Sequence, residues 1–251
     1  WEGVFKRIDI GSDGSLVASG ENSDERQHLV GTPTMNAVIR HMSDGLDVSW
    51  GRRVSGISGG PGDLWLTFED GAREGAFEAV VVAVPAEQAS ELLEKTSPTA
   101  ARAAAASGSA PCWAVMAAFE APVDLSFDGA RVSGSPLAWI ARNSSKPGRE
   151  AGECWVLHGA PGWSRDNLER GPDDVVGALV AAFAEIAPGA TPVFASAHRW
   201  RFAQVETAAE QGAFWNPKTG IGVCGDWCVA ARVEAAWTSG RTVAQMMTAP
   251  I

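Results

Sequence analysis

The sequence predicts a mixed α/β (α+β) fold, and three stretches carry the prediction. Gly220-Ile221-Gly222-Val223-Cys224-Gly225-Asp226-Trp227 reads as a short apolar strand ending in Gly-Asp, followed by a loop and a helix from about Arg232. Such an arrangement presents backbone N–H groups to an anion at the strand's carboxyl end. Phe77–Val84 is nearly all apolar and β-branched, as expected of a strand covered on both faces, and Pro85 ends it before a helix. Between residues 46 and 71, short strands separated by glycine turns predict an antiparallel meander.

From the amino terminus, Trp1–Ile10 reads as a strand, Gly11–Ser15 as a turn and Leu16–Ala18 as its return, with Asn22–Gln27 a polar loop and His28 on the surface. Thr32 suits an N-cap and Pro33 a first helical position, with Met35, Val38, Ile39 and Met42 as the apolar face and Gly45 as the stop. Strands follow at Leu46–Trp50, Arg53–Ile57 and Leu64–Phe68, and Asp70-Gly71 marks a hairpin. Ala86–Glu94 is helical, and Ala100–Ala106 is a low-complexity helix or linker. Further strands are expected at Cys112–Phe119, Leu137–Ala141 and Glu153–Leu157. Pro161–Arg170 reads as loop and short helix; Asp173–Ile186 is an amphipathic helix with two aspartates in its first turn. Phe194–Phe202 reads as a strand whose alternation places His198, Trp200 and Phe202 on one face and Arg199 and Arg201 on the other.

Composition excludes several function classes. The 251 residues are 45% hydrophobic and 20% charged, the balance of an ordinary globular chain of one large or two modest domains. A formal charge of -10 argues against a nucleic-acid partner. Cys112, Cys154, Cys224 and Cys228 form no C-x-x-C pair, so zinc is not expected, and no apolar run is long enough to span a bilayer. Free thiols and the absence of a cationic leader fit a cytoplasmic protein. The first residue is Trp1 rather than methionine, which fits a fragment or a processed form.

Gly220, Gly222 and Gly225 satisfy G-x-G-x-x-G, but the apolar run falls between the glycines instead of before them, so the dinucleotide fingerprint is rejected here. Pro85 is a second candidate, a rigid turn at the carboxyl edge where open α/β sheets bind ligands. Arg142-Asn143-Ser144-Ser145-Lys146-Pro147-Gly148-Arg149 is a basic loop in an acidic protein. It reads as a solvated turn, or as a loop that closes over an anion or holds a domain contact. His198–Phe202 is the densest cation and aromatic cluster in the chain.

Taken collinearly, Val30-Gly31-x-Pro33-x-Met35-Asn36, Val80–Pro85, Arg142–Arg149, His198-Arg199-Trp200-Arg201, Gly225-Asp226-Trp227 and Arg232-Val233-Glu234 resemble the bacterial renalase-like branch of FAD-dependent amine-oxidase-type flavoproteins over nearly the whole chain. The resemblance implies an incomplete Rossmann-like FAD/NAD(P)-binding domain interleaved with a substrate domain built on an antiparallel sheet. Its segments would be 33–88 and 212–251 for the cofactor and 1–32 and 89–211 for the substrate. It implies FAD as cofactor, with the Val54 backbone at the adenine end, Asp226 near the ribityl and pyrophosphate region, Arg232, Val233 and Glu234 at the flavin N1 and O2 edge, and Pro85 and Gly225 as further cofactor-binding residues. A helix start there favours the charge of a reduced flavin by roughly 0.3–1 kcal/mol when exposed.

Implied chemistry is hydride transfer from a small substrate, with O2 as acceptor. The substrate is a dihydronicotinamide or, as the runner-up, an amine; Arg199, Trp200 and Arg201 are the candidate substrate-binding residues. No nucleic acid, membrane or metal is implied, and the state is monomer or homodimer. Departures are clear: this chain has no strand, G-x-G-x-x-G turn and helix, Ala231, Ala235 and Thr34 stand where the family tends to have glycine, and Phe202 stands where tyrosine is usual. A non-catalytic module that kept the fold is the reading from another class.

Overall fold

The computed structural model describes residues 1–11, 16–21 and 28–249. The expected turn residues 12–15 and the loop Asn22–Gln27 lie outside the described residues. In chain order the elements are β1 (Phe5–Ile10), β2 (Leu16–Glu21), α1 (Ala37–Met42), β3 (Val54–Gly60), β4 (Asp63–Phe68), β5 (Arg73–Phe77), β6 (Val80–Val82), α2 (Ala86–Leu93), α3 (Pro98–Ala106), β7 (Gly108–Phe119), β8 (Gly129–Ser133), β9 (Leu137–Arg142), β10 (Glu153–Gly159), α4 (Pro161–Asp166), α5 (Pro172–Ile186), β11 (Phe194–Thr207), β12 (Phe214–Asn216), β13 (Ile221–Val223) and α6 (Val233–Thr248). The mixed α/β class expected from sequence is the class observed. Among the described residues no helix is long and apolar enough to cross a membrane.

The chain forms two compact units, Trp1–Asp47 with Pro111–Arg201, and Val48–Ala110 with Phe202–Ile251. The chain passes between the units after Asp47, Ala110 and Arg201.

A seven-stranded sheet dominates the first unit, in the order β11-β7-β10-β9-β8-β1-β2. Its pairs are antiparallel at β1–β2, β8–β9, β9–β10 and β10–β7, and parallel at β1–β8. Alternation divides its side chains cleanly. Trp113, Val115, Ala117, Ile140, Trp155 and Leu157 are buried against Val175, Leu179, Ala182 and Phe183 of α5. The Trp113 and Trp155 indoles keep their N–H groups bonded, to Asn167 C=O (3.0 Å) and Glu153 Oε1 (2.7 Å), so these large rings bury no unmatched donor.

Smaller sheets build the second unit. The meander is β3-β4-β5, and the parallel pair β6–β13 carries β12 antiparallel on its outer side. Asp70-Gly71 makes the expected hairpin: Gly71 takes φ +83° and Asp70 Oδ1 accepts from Ala72 N–H (2.9 Å).

Three expectations fail locally, each for an identifiable reason. The helix expected from Pro33 begins only at Ala37, with Asn36 rather than Thr32 at its N-cap, because Arg149 Nη1 donates to the Gly31 and Pro33 carbonyls and holds residues 31–33 out of a helix. Its apolar face is exposed. Leu46–Trp50 forms no strand, and Trp50 is 77% exposed; Arg73–Phe77 supplies the third strand of the meander instead. Phe77–Val84 is not one doubly covered strand. It breaks at Glu78, whose carbonyl accepts from Gly62 N–H (3.2 Å), leaving a three-residue β6 with Val81 39% exposed.

The first unit's core makes one direct prediction. Phe183, fully buried and tilted against both Trp155 and Phe119, should cost about 3–5 kcal/mol of stability when truncated to alanine, read as a lowered urea midpoint.

Candidate cofactor and substrate sites

The second unit gathers the carboxyl ends of its two parallel strands. Ile221, Gly222 and Val223 pair with Val80, Val81 and Val82, and Cys224 N–H continues the ladder to Val82 C=O (3.1 Å). Beyond the ladder Trp227, fully buried, donates its indole N–H to Val84 C=O (3.1 Å) and stacks on Phe214. Pro85 follows Val84 as the N-cap of α2, while Gly225 and Asp226 follow the neighbouring β13. Gly222 is required by packing: a Cβ there would stand 2.9 Å from Val243 of α6. The strand lies between the glycines of the apparent fingerprint, which confirms its rejection.

Gly225 also serves packing, since a Cβ would fall 2.8 Å from the Trp227 ring. Its N–H donates to Ser239 Oγ (3.1 Å), and that fully buried hydroxyl donates onward to Gly212 C=O (2.5 Å). One serine on α6 thus ties the end of β13 to the approach to β12. Asp226 commits one carboxylate oxygen to Trp227 N–H (2.9 Å).

Helix α6 opens next to this turn. Arg232 is its extended N-cap, and Ala235 N–H makes the first bond back to Arg232 C=O (3.1 Å), so the Val233 and Glu234 amides precede the helical ladder. Val233 is 75% exposed and Glu234 places a carboxylate in the first turn. Two strand ends, an acidic turn and an unfilled helix N-terminus fit one edge of a flavin-type cofactor. Val54 is not part of this gathering; it starts β3 in the separate meander, paired with Phe68. The glycine-rich strand–turn–helix that would hold a pyrophosphate is absent from the described residues.

In the first unit, β11 alternates as expected, and that separates the candidate substrate residues. Arg199 donates to Leu168 C=O (2.7 Å) and Glu169 Oε2 (2.9 Å), and Arg201 donates to Glu169 through both nitrogens (2.7 and 3.0 Å). Arg201 first and Arg199 second hold the Glu169 carboxyl below the usual carboxylate range. Trp200 stands on the opposite face, 55% exposed, edge-on to His198. The three residues do not converge.

Sequence reasoning missed Ser239 and Trp227 as organisers, since a serine inside a helix and one tryptophan among eleven carry no periodic signal. It also missed a cluster in the first unit. His158 lies opposite Trp139 in the β9–β10 register, and Lys146 caps the same face, its Nζ 3.2 Å from Asn143 Oδ1 and 5.2 Å from the Trp1 ring centroid. Among the described residues no group of three metal-ligating side chains converges.

Residues 11–248 match the family of flavin-containing amine oxidoreductases. The chain belongs to that family. Solved structures of similar fold include a protein provisionally assigned as protoporphyrinogen oxidase from Exiguobacterium sp. 255-15 (TM-score 0.65, 16% identity, 85% of this chain and 51% of that one). Others are a wild-type putrescine oxidase bound to putrescine (0.59, 14%, 85% and 52%) and an oxidoreductase from Methanosarcina mazei (0.53, 16%, 78% and 49%). The chain therefore spans about half the length of the structures it matches.

Two outcomes follow, one at the cofactor edge and one for thiols of both units. Ser239→Ala should leave the Gly225 N–H and the Gly212 carbonyl without their partner and cost about 1–3 kcal/mol in a denaturation experiment. Burial pushes the Cys228 thiol up to about 12 and the Cys112 thiol to about 11, from 9.0. Both groups ionise more readily in the unfolded chain, so their stabilisation is complete below pH 9 and is lost as pH rises toward their folded values. The urea midpoint should fall across that window, and less so in Cys228→Ala.

Proposed function

We propose that this chain is the flavin-edge and substrate portion of an FAD-dependent oxidase that removes a hydride from a small molecule and passes the electrons to O2. One observation carries the reading: the carboxyl ends of β6 and β13 meet at Gly225-Asp226 beside the open N-terminus of α6. When bound, FAD would supply the two-electron chemistry. The chain's own part is placement and electrostatics. Gly225 and Asp226 would meet the ribityl and pyrophosphate region, and Arg232, Val233 and Glu234 would direct amide dipoles at the N1 and O2 edge, with Pro85 closing the neighbouring strand and Val54 contributing its backbone at the adenine end.

Trp200 offers a stacking face on the substrate side, while Arg199 and Arg201 act through the Glu169 bridge. The substrate favoured is a dihydronicotinamide, as in the renalase-like branch, with hydrogen peroxide as by-product. The support is the sequence set Arg142–Arg149 and His198–Arg201 together with the cationic face around Lys146, which repels an ammonium substrate. An amine remains the second reading because the family and the putrescine oxidase fold favour it. All four cysteines are free, in keeping with a reducing cytoplasm.

Asp226→Ala should lower the flavin content of the purified protein, measured from its visible absorption, by about tenfold. Unchanged content would remove Asp226 from the cofactor site. With the wild-type protein, peroxide release on adding dihydronicotinamides but not primary amines supports the favoured substrate, and the reverse pattern selects the amine.

A further inference from the structure

The face of the seven-stranded sheet turned away from α5 holds a cluster that the cofactor reading leaves unused. Its floor is aromatic: Phe5 stacks on His28 at 4.0 Å and on Trp139 at 6.2 Å, and Trp1 stands edge-on to Phe5 at 4.9 Å. At its rim the half-buried Lys146 ammonium lies over the Trp1 ring and donates to Asn143 Oδ1, and the Trp1 indole donates to Ser145 Oγ (3.1 Å). His158 opens onto the same face, cross-strand from Trp139 on one side and from the small Ala114 on the other.

Among the described residues the charge on this face has no carboxylate partner. Arg149 adds a second cation whose Nη1 is held by carbonyl oxygens of Gly31, Pro33 and Pro147, while its Nη2 is buried without a partner. Among the described residues no carboxylate comes within ion-pair distance of Lys146 or Arg149. That is unusual for a chain of net charge -10, because half-buried cations are stabilised by pairing. Burial first and the Arg149 charge second push Lys146 below its ordinary range, and burial with the Lys146 charge keeps His158 toward the neutral form. An arriving anion relieves both.

We propose that Lys146, with His158 and the Trp1–Phe5–Trp139 floor, forms a binding subsite for a small planar ring carrying a carboxylate. The ring lies on the aromatic floor, the carboxylate pairs with the Lys146 ammonium, and His158 hydrogen-bonds the same group. An ammonium on the same ring meets two cations and is rejected. The inference concerns the first unit alone and deepens the substrate side of the proposed reading, on which its choice of face rests.

Benzoate and benzylamine are the matched probes, equal in ring and opposite in charge. Benzoate titrated into the protein should saturably shift the His158 ring signals in NMR, assigned through His158→Gln, and benzylamine should leave them in place. Lys146→Gln should weaken benzoate by about tenfold or more, and Lys146→Arg should retain it. Equal response to the two probes in the wild-type protein, or benzoate binding indifferent to Lys146→Gln, overturns the proposal; the wild-type comparison decides it even where a variant fails to fold. The measurement needs neither flavin nor O2. Benzoate binding without dihydronicotinamide oxidation would leave the subsite standing and remove the reaction, and the converse would do the opposite.

Discussion

Everything proposed for the cofactor edge depends on how the Trp227 ring closes the ends of two parallel strands. A parallel pair of three residues each has little ladder of its own, and its hydrogen bonds stop at Val82 and Cys224. The buried indole extends the connection by one more donor, to Val84, and fills the space that any side chain at position 225 would need. Ser239 completes the clamp from α6. A turn held from three directions fixes Asp226 and the start of α6 without relying on loop stiffness. This is the pre-positioning that an anionic cofactor edge requires.

Much of this was legible in the sequence, and the failures are informative. The Gly-Asp turn, the Pro85 stop, the α5 amphipathic helix and the β11 alternation were readable because each is set by local chemistry: turn residues, a capped apolar stripe, period-two alternation. Residues 31–36 were misread because a favourable Thr-Pro helix start is overridden by Arg149, over a hundred positions away. Leu46–Trp50 has strand composition but no strand to pair with among the described residues, and composition cannot supply a partner. The charge pairing of Arg199 and Arg201 with Glu169 was equally invisible, since it depends on where α4 leaves the chain.

Membership of the flavin-containing amine oxidoreductase family and the absence of a glycine-rich phosphate turn from the described residues are compatible with one another. The chain covers about half of the solved structures whose fold it shares. On the proposed reading, the described residues would face a flavin's reactive edge and present a sheet for substrate; the pyrophosphate cradle is a separate element of such folds.

Hydrogen exchange of the backbone amides with and without added FAD tests the central claim most directly. Binding as described should slow exchange at Gly225–Asp226 and at Val233–Glu234 while leaving the α5 side of the first unit unchanged. Protection confined to other segments, or no protection at all with FAD demonstrably bound, would contradict the placement of the cofactor at the β6–β13–α6 junction.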